Sequence, residues 1–461
     1  MPSTPYSLKV VLSAILLAGC ASVSTGTEDA GTLAEEALPE VVAEWKEIEE
    51  RVVGEPVGWI GAFEDPVLEK LVAEAQENNK NLEAAAAAVE SSRALAGIAD
   101  AQLSPDVSAG LTTENSGILD GGDSSDVGLG LEASWEVDLW GRLRSGREGA
   151  VRDLEAVEAD YVFSQYSLAA SVAEAYFLAI EAHQQLGVTE ANVEALTETD
   201  RIVRVRLENG MGDAEDAALS LSDLSAARDS LIELEGSKRD ALRALELLLG
   251  RYPSADIELR GDLPAVPPAP PAGIPSDLLE RRPDLIAAER RIASAVTGVD
   301  EAKAAKLPSL SLTGSIGGSS NDLSNILDPS NVAWSAASSL LAPIFDGGER
   351  DRQVDLADAE LQAAVAEYAD AALDAFSDVE TALDQSVVLR RREEQLQVSS
   401  DQADEALRLV NLRYSEGETD LIDVLDIQTR ALSAKSDLIS VQRGQLSEYV
   451  ALNLALGGSW E

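Results

Sequence analysis

Val127-Gly128-Leu129-Gly130-Leu131-Glu132-Ala133-Ser134-Trp135-Glu136-Val137-Asp138-Leu139 alternates with a period of two, and from Leu154 onward the chain changes to a period of seven. Alternation places apolar side chains on one face of a strand and Gly, Ser and acids on the other. The same pattern recurs from Leu103 to Thr113, in Leu310-Ser311-Leu312-Thr313-Gly314-Ser315-Ile316, and from Val332 to Ile344, where Trp334, Ala336, Ser338, Leu340 and Ala342 share a side. Each run has about the ~9 to 11 residues that a tilted transmembrane strand needs. Four strands are therefore expected, at about 103–114, 125–139, 307–317 and 332–345. On such strands Glu132 and Glu136 face a polar lumen, and Trp135 and Trp334 are the candidates for an interfacial aromatic belt. Asn115 to Ser125 and Gly317 to Ser330, rich in Gly, Asn, Asp and Ser, read as exposed hairpin loops. Two soluble hairpins covered by helices would give the same alternation. Four strands cannot close a membrane barrel, because the smallest need about 8 and an open edge in lipid leaves backbone groups unpaired. A barrel has to be shared between chains, with 8 strands from two copies or 12 from three.

The period of seven runs through Leu154, Tyr161 and Leu168, then Val172, Ala179, Leu186 and Val193, and again through Leu361, Tyr368, Ala375, Ala382 and Leu389. Alanines between these positions permit close helix approach in a coiled coil. No Pro interrupts Gly141 to Asn209, so one helix on the order of 60 residues and ~90 Å is expected there. Composition is equally compatible with a globular bundle broken at Gly187 or Thr197.

The two heptad stretches belong to an internal repeat. Laying residue i on residue i+207 without a gap matches Gly141 with Gly348, Tyr161 with Tyr368, Val172 with Val379, Arg206 with Arg413, Gly210 with Gly417, Asp213 with Asp420, and Leu249-Gly250 with Leu456-Gly457. A register held that long marks two copies of one unit. Between them, Leu263-Pro264-Ala265-Val266-Pro267-Pro268-Ala269-Pro270-Pro271 reads as an extended connector. The expected organisation is a first repeat over 59–250, a Pro-rich connector over 251–276 and a second repeat over 277–461.

Ahead of the repeats, Lys9 and a short apolar run precede Leu17-Ala18-Gly19-Cys20. The run is too short to span a bilayer as a helix, and small residues stand before the cysteine. This looks like a lipobox: a signal peptide over 1–19, then an acylated segment over 20–58 anchored through Cys20. Cys20 is the only cysteine and His183 the only histidine, so a disulfide framework and a Cys/His zinc cluster are excluded. With 83 acidic against 35 basic residues the formal charge is −48, which repels phosphate backbones and excludes sequence-independent nucleic-acid binding.

Several stretches together resemble the TolC-type outer-membrane factors, in particular the lipoprotein branch found in tripartite drug efflux, OprM-like or NodT-like. They are Phe63-Glu64-Asp65-Pro66-Val67-Leu68, Trp135-Glu136-Val137-Asp138-Leu139-Trp140-Gly141-Arg142-Leu143-Arg144, Leu278-Leu279-Glu280-Arg281-Arg282-Pro283-Asp284-Leu285, Pro343-Ile344-Phe345-Asp346-Gly347-Gly348, and Ala455-Leu456-Gly457-Gly458-Ser459-Trp460. The resemblance implies a mainly α chain with a membrane β-barrel part. It implies a homotrimer whose 12 strands form one barrel in outer-membrane lipid, continued by a periplasmic α-helical tunnel. It also implies two partners, a periplasmic adaptor protein and an inner-membrane transporter of the resistance-nodulation-division type, and no cofactor or metal.

By the same resemblance, Asp423 and Asp426 match an aspartate pair that forms a cation-preferring constriction at the periplasmic tip. Positions three apart share a helix face, so threefold symmetry would gather six carboxylates. Ile422 stands where some relatives carry an apolar plug. Tyr414 and Asp216 match an inter-helix tether; the arginine of that lock is replaced by Thr419, with Arg430 two turns further on as a candidate substitute. An enzyme reading finds no support, since an Asp pair at i and i+3 is not held across a substrate cleft. The readings from other classes are a lipid-anchored coiled-coil scaffold without a pore and the outer-membrane duct of a type I secretion system.

Overall fold

A computed structural model describes residues 29–38, 45, 58–117, 123–270 and 275–458. The signal segment 1–19, Cys20, most of 20–58 and Trp460 lie outside the described residues. In chain order the elements are α1 (Ala30–Ala37), α2 (Pro66–Asn78), α3 (Lys80–Ala101), β1 (Asp106–Gly117), β2 (Asp123–Val137), α4 (Arg142–Glu208), α5 (Ala214–Leu248), α6 (Leu278–Arg281), α7 (Pro283–Ala304), β3 (Ser309–Ser320), β4 (Val332–Leu341), α8 (Glu349–Glu416) and α9 (Leu421–Ala455). The protein is mostly helical with one small sheet.

The gapless repeat is visible in the element bounds. Adding 207 to the bounds of α5 gives those of α9, and α4 and α8, of 67 and 68 residues, begin in the same register. The repeated glycines are the reason. Gly210, Gly250, Gly417 and Gly457 each have φ between 69° and 78°, the left-handed cap that a Cβ opposes. Each closes its helix in the same way: Gly210 N–H donates to the Leu207 carbonyl and Met211 N–H to Arg206, while Gly417 and Glu418 donate to Tyr414 and Arg413. The alternative breaks at Gly187 and Thr197 are absent. Gly187 has open space where a side chain would stand, and the Thr197 hydroxyl folds back onto the Val193 carbonyl at 2.7 Å, so α4 continues through both.

Contacts divide the chain into two compact units. The first comprises the described residues within 1–37, 90–156 and 288–369 and carries the sheet, with strand order β1-β2-β3-β4, antiparallel throughout. Within one chain the sheet is open, not a closed barrel, and β1 and β4 are its edges. Strand ends differ from the sequence expectation by a few residues. β1 starts at Asp106, not 103, because Leu103 and Ser104 still donate to the last carbonyls of α3 and Pro105 cannot join a ladder. β3 likewise starts after Pro308, and β2 and β4 stop at Val137 and Leu341. The segment expected as a loop from Gly317 is strand as far as Ser320, paired with Val127 to Gly130.

The second unit comprises the described residues within 38–89, 157–287 and 370–461. Its core is aromatic: Phe63 packs edge-on against Phe177 and Tyr449 at centroid distances of 5.1 and 5.3 Å, beside buried Trp59, Leu68, Tyr176, Ile180 and Leu245. Of the heptad positions in this unit, Leu168, Val172, Ala179, Ala375 and Ala382 are buried, whereas Leu186, Val193 and Leu389 are half-buried. Asp65 caps α2 by accepting from Val67 and Leu68 amides, and accepts from the buried Tyr176 hydroxyl at 3.1 Å. The connector residues described, 251–270, contain no helix or strand.

Candidate functional site

Two places carry functional side chains, and each lies within one unit. In the first unit, strand register sorts the sheet into two chemically distinct faces. Val107 pairs with Ala133, Leu111 with Leu129, Leu131 with Ile316, Trp135 with Leu312, Ile316 with Trp334, and Leu310 with Leu340. Cross-strand partners point the same way, so these residues form one continuous apolar face. Among the described residues no other element covers it: Val107, Leu111, Leu131, Ile316 and Leu340 are all half or more exposed and Trp334 is 77% exposed. The opposite face carries Ser108, Thr112, Glu114, Asp126, Glu132, Ser134, Glu136, Ser311, Thr313 and Ser315, relieved by glycines where strands approach closely. A Cβ on Gly317 would stand 2.6 Å from the Leu129 carbonyl oxygen.

The acids expected to line a lumen share that polar face with different surroundings. Glu132 is exposed, whereas the Glu136 carboxylate accepts from Arg142 Nη2 at 3.0 Å, and Arg142 also reaches Glu301. The two tryptophans are not equivalent either. Trp135 donates its indole N–H to the Leu103 carbonyl at 3.0 Å at the helix end of the sheet, while Trp334 is free on the apolar face. Along β3 their rungs, Leu312 and Ile316, are four residues apart, about 13 Å at ~3.3 Å per residue. Trp140, passed over in the sequence, donates to the Pro308 carbonyl at 2.7 Å beside Trp135's end of the sheet.

The second place is the tip where α4 turns into α5 and α8 into α9, within the second unit. The first turns of α9 have two sides. Leu421, Val424 and Leu425 are buried against Leu196, Val203, Leu224, Val410 and Tyr414. Ile422, Asp423, Asp426 and Arg430 are exposed on the other side, Ile422 by 64%. The structure therefore brings Ile422, Asp423 and Asp426 onto one outward face, and gives the two acids different partners. The Thr419 hydroxyl donates to Asp423 at 2.5 Å. Arg430 donates to Asp426 through Nε at 3.1 Å and lies 2.9 Å from it through Nη2.

Tyr414 and Asp216, the expected tether residues, lie near each other at this tip. No hydrogen bond joins Tyr414 to Asp216. Tyr414 is buried, and its contact is Arg206, whose guanidinium lies 4.4 Å from the ring centroid and donates to the Tyr414 carbonyl at 3.0 Å. Burial pushes the Tyr414 phenol up, the Arg206 cation opposes this, and the charge of nearby Asp216 reinforces it. Arg430, the candidate substitute for the arginine that Thr419 displaces, is held by Asp426 in this chain. Arg206 was legible only as one of the matched repeat positions, paired with Arg413 in the alignment.

Among the described residues no helix is long and apolar enough to cross a membrane. The outer membrane efflux protein family matches at residues 71–251 and 274–458. The pyoverdine export outer membrane protein OpmQ of Pseudomonas putida is 33% identical over 422 residues, covering 87% of this chain and 88% of OpmQ. The solved outer-membrane channel OprN has a TM-score of 0.84 at 30% identity over 92% of this chain and 98% of its own. The Neisseria gonorrhoeae MtrE outer membrane channel, solved in an open state, gives a TM-score of 0.83 at 31% identity over 92% and 96%.

Proposed function

The chain belongs to the outer membrane efflux protein family, and from that membership and the two-faced sheet we propose that it is the exit duct of a tripartite efflux system. The observation that carries this is the uncovered apolar face of an open four-stranded sheet. In water such a face is a liability, and unpaired edges in lipid are costly. Both problems are relieved if three copies pool their strands into a 12-stranded barrel, apolar outside and lined by the Gly, Ser, Thr and acid face. From Val127 to Val137 the apolar face of β2 runs about 33 Å along the strand, and tilt brings this to about the 25 Å of an apolar band.

Under this reading α4, α5, α8 and α9 of three chains enclose a periplasmic tunnel, closed at the tip by Ile422, Asp423 and Asp426 and restrained by Arg206 on Tyr414. Trp135 and Trp334 contact lipid at two levels of one band, and Glu132 faces the lumen. Residues 1–19 serve as signal peptide, and acylated Cys20 anchors the mature chain in the outer membrane. Transport is passive: a periplasmic adaptor and an inner-membrane transporter of the resistance-nodulation-division type supply the energy and select the cargo. The description of OpmQ as a pyoverdine export protein supports a small-molecule cargo, and the open state of MtrE supports a duct that opens and closes. The native mass of the detergent-solubilised protein tests this. A trimer is expected; a monomer would leave the scaffold reading in its place.

A further inference from the structure

We propose that Arg430 is a specificity-determining residue of the gate, because it neutralises Asp426 and leaves Asp423 as the acting carboxylate. This rests on the acid pair lining the closed tip of a threefold assembly. Asp426 and Arg430 are one helical turn apart with the acid on the N-terminal side, the favourable order for an i,i+4 pair. The guanidinium meets Asp426 Oδ2 through two nitrogens, at 3.1 and 2.9 Å. Asp423 receives only the neutral Thr419 hydroxyl, which orients its charge without cancelling it. Asp423 also lies in the first turn of α9, where the helix dipole favours an anion.

An isolated pair this exposed, 72% and 59% for the two side chains, is worth little by itself. Threefold symmetry changes the balance, because the carboxylates of the other two chains add to the potential that holds each guanidinium. Two carboxylates and one guanidinium per chain leave a ring of −3 instead of −6. The consequence separates this account from a plain six-carboxylate gate: removing both acids does not simply abolish cation preference, it exposes three unpaired guanidiniums.

The test is the reversal potential of the full-length trimer in a planar bilayer under a KCl gradient. The variants are Arg430→Gln, the double Asp423→Asn/Asp426→Asn, and a triple that adds Arg430→Gln to the double. All three positions are exposed, and native mass confirms assembly. Arg430→Gln should raise the K⁺/Cl⁻ permeability ratio by about two-fold or more, the double should turn the preference to Cl⁻, and the triple should return it towards unity. If Arg430→Gln leaves the ratio unchanged and the double and triple behave alike, the role of Arg430 is overturned while the acid gate stands. If no variant changes the ratio, the acid pair does not line the pore and both readings fall.

Discussion

The Arg206 guanidinium lies over the Tyr414 ring, 4.4 Å from its centroid, and donates to the Tyr414 backbone carbonyl at 3.0 Å. One residue ends the first long helix and the other ends its repeat partner, so a single side chain ties the two halves of the chain together at the tip. A stacked cation contributes ~0.5–2 kcal/mol, depending on how far it is desolvated. Arg206→Ala should therefore raise the basal conductance of the closed duct and expose 209–213 and 416–420 to proteolysis. Arg206→Lys, with no planar fork to stack, should fall between the two. Equal conductance and cleavage rates in all three proteins would remove the tether.

The two faces of the sheet predict opposite outcomes at adjacent positions. Ile316 is on the apolar face and Ser315 on the polar one. Arginine on a lipid-facing site costs about 2–4 kcal/mol near the bilayer centre, and symmetry repeats it in each copy. Ile316→Arg should block insertion and assembly in outer-membrane fractions, whereas Ser315→Arg should assemble normally. Equal assembly of both would show that this sheet does not face lipid.

Arg282 is a buried cation, 6% exposed, that bonds Asp284, Asp378 and the Ala455 carbonyl. Its removal leaves the Ala455 carbonyl and the half-buried Asp284 without their donor, while the exposed Asp378 rehydrates, at a cost of about 1–3 kcal/mol. Arg282→Met should sharply reduce the yield of folded protein. Arg282→Lys should recover part of the loss, because it restores the charge without the bidentate geometry. Wild-type thermal stability in Arg282→Met would contradict this.

Stability should also fall with rising pH through one carboxylate. Burial, then the neighbouring Glu174, push Glu448 up to about 7 from its ordinary 4.5. Glu174 itself is pushed up by burial and drawn back by Arg443, which pairs with Glu181 at 2.9 Å. Because the folded value lies above the unfolded one, stability is fully present below about 4.5 and is lost as pH rises to about 7. Solvent reaches this partly exposed group, so the effect discounts to ~1 kcal/mol. Glu448→Gln should match the parent near pH 4.5 and melt about 1–2 °C higher at pH 8. An identical pH dependence in parent and variant would rule the group out.

Helix and strand type were legible because periodicity and glycine placement act locally. The step of seven located α4 and α8, and the repeated Gly210 and Gly417 located their ends. Strand ends were less legible, because the final turns of α3 and α7 compete for residues that alternate as well as any strand, and Pro105 and Pro308 decide the matter. At the tip, motif matching placed Asp423, Asp426 and Ile422 on a face that the structure leaves exposed. It did not reveal the unequal partners of the two acids, although the four-residue spacing of Asp426 and Arg430 was there to be read. The contact of Arg206 with Tyr414 crosses 208 positions of sequence, and no local pattern announces such a pair. The bonds of Asp65 with Tyr176 and of Arg282 with Asp378, 111 and 96 positions apart, were hidden for the same reason.

If several chains form one conducting duct, single-channel recording of the purified trimer in a planar bilayer detects it. A small cation-selective conductance is predicted for the parent, and a larger one from the same trimer carrying Arg206→Ala. Intact trimers that pass no current in either form would contradict the account.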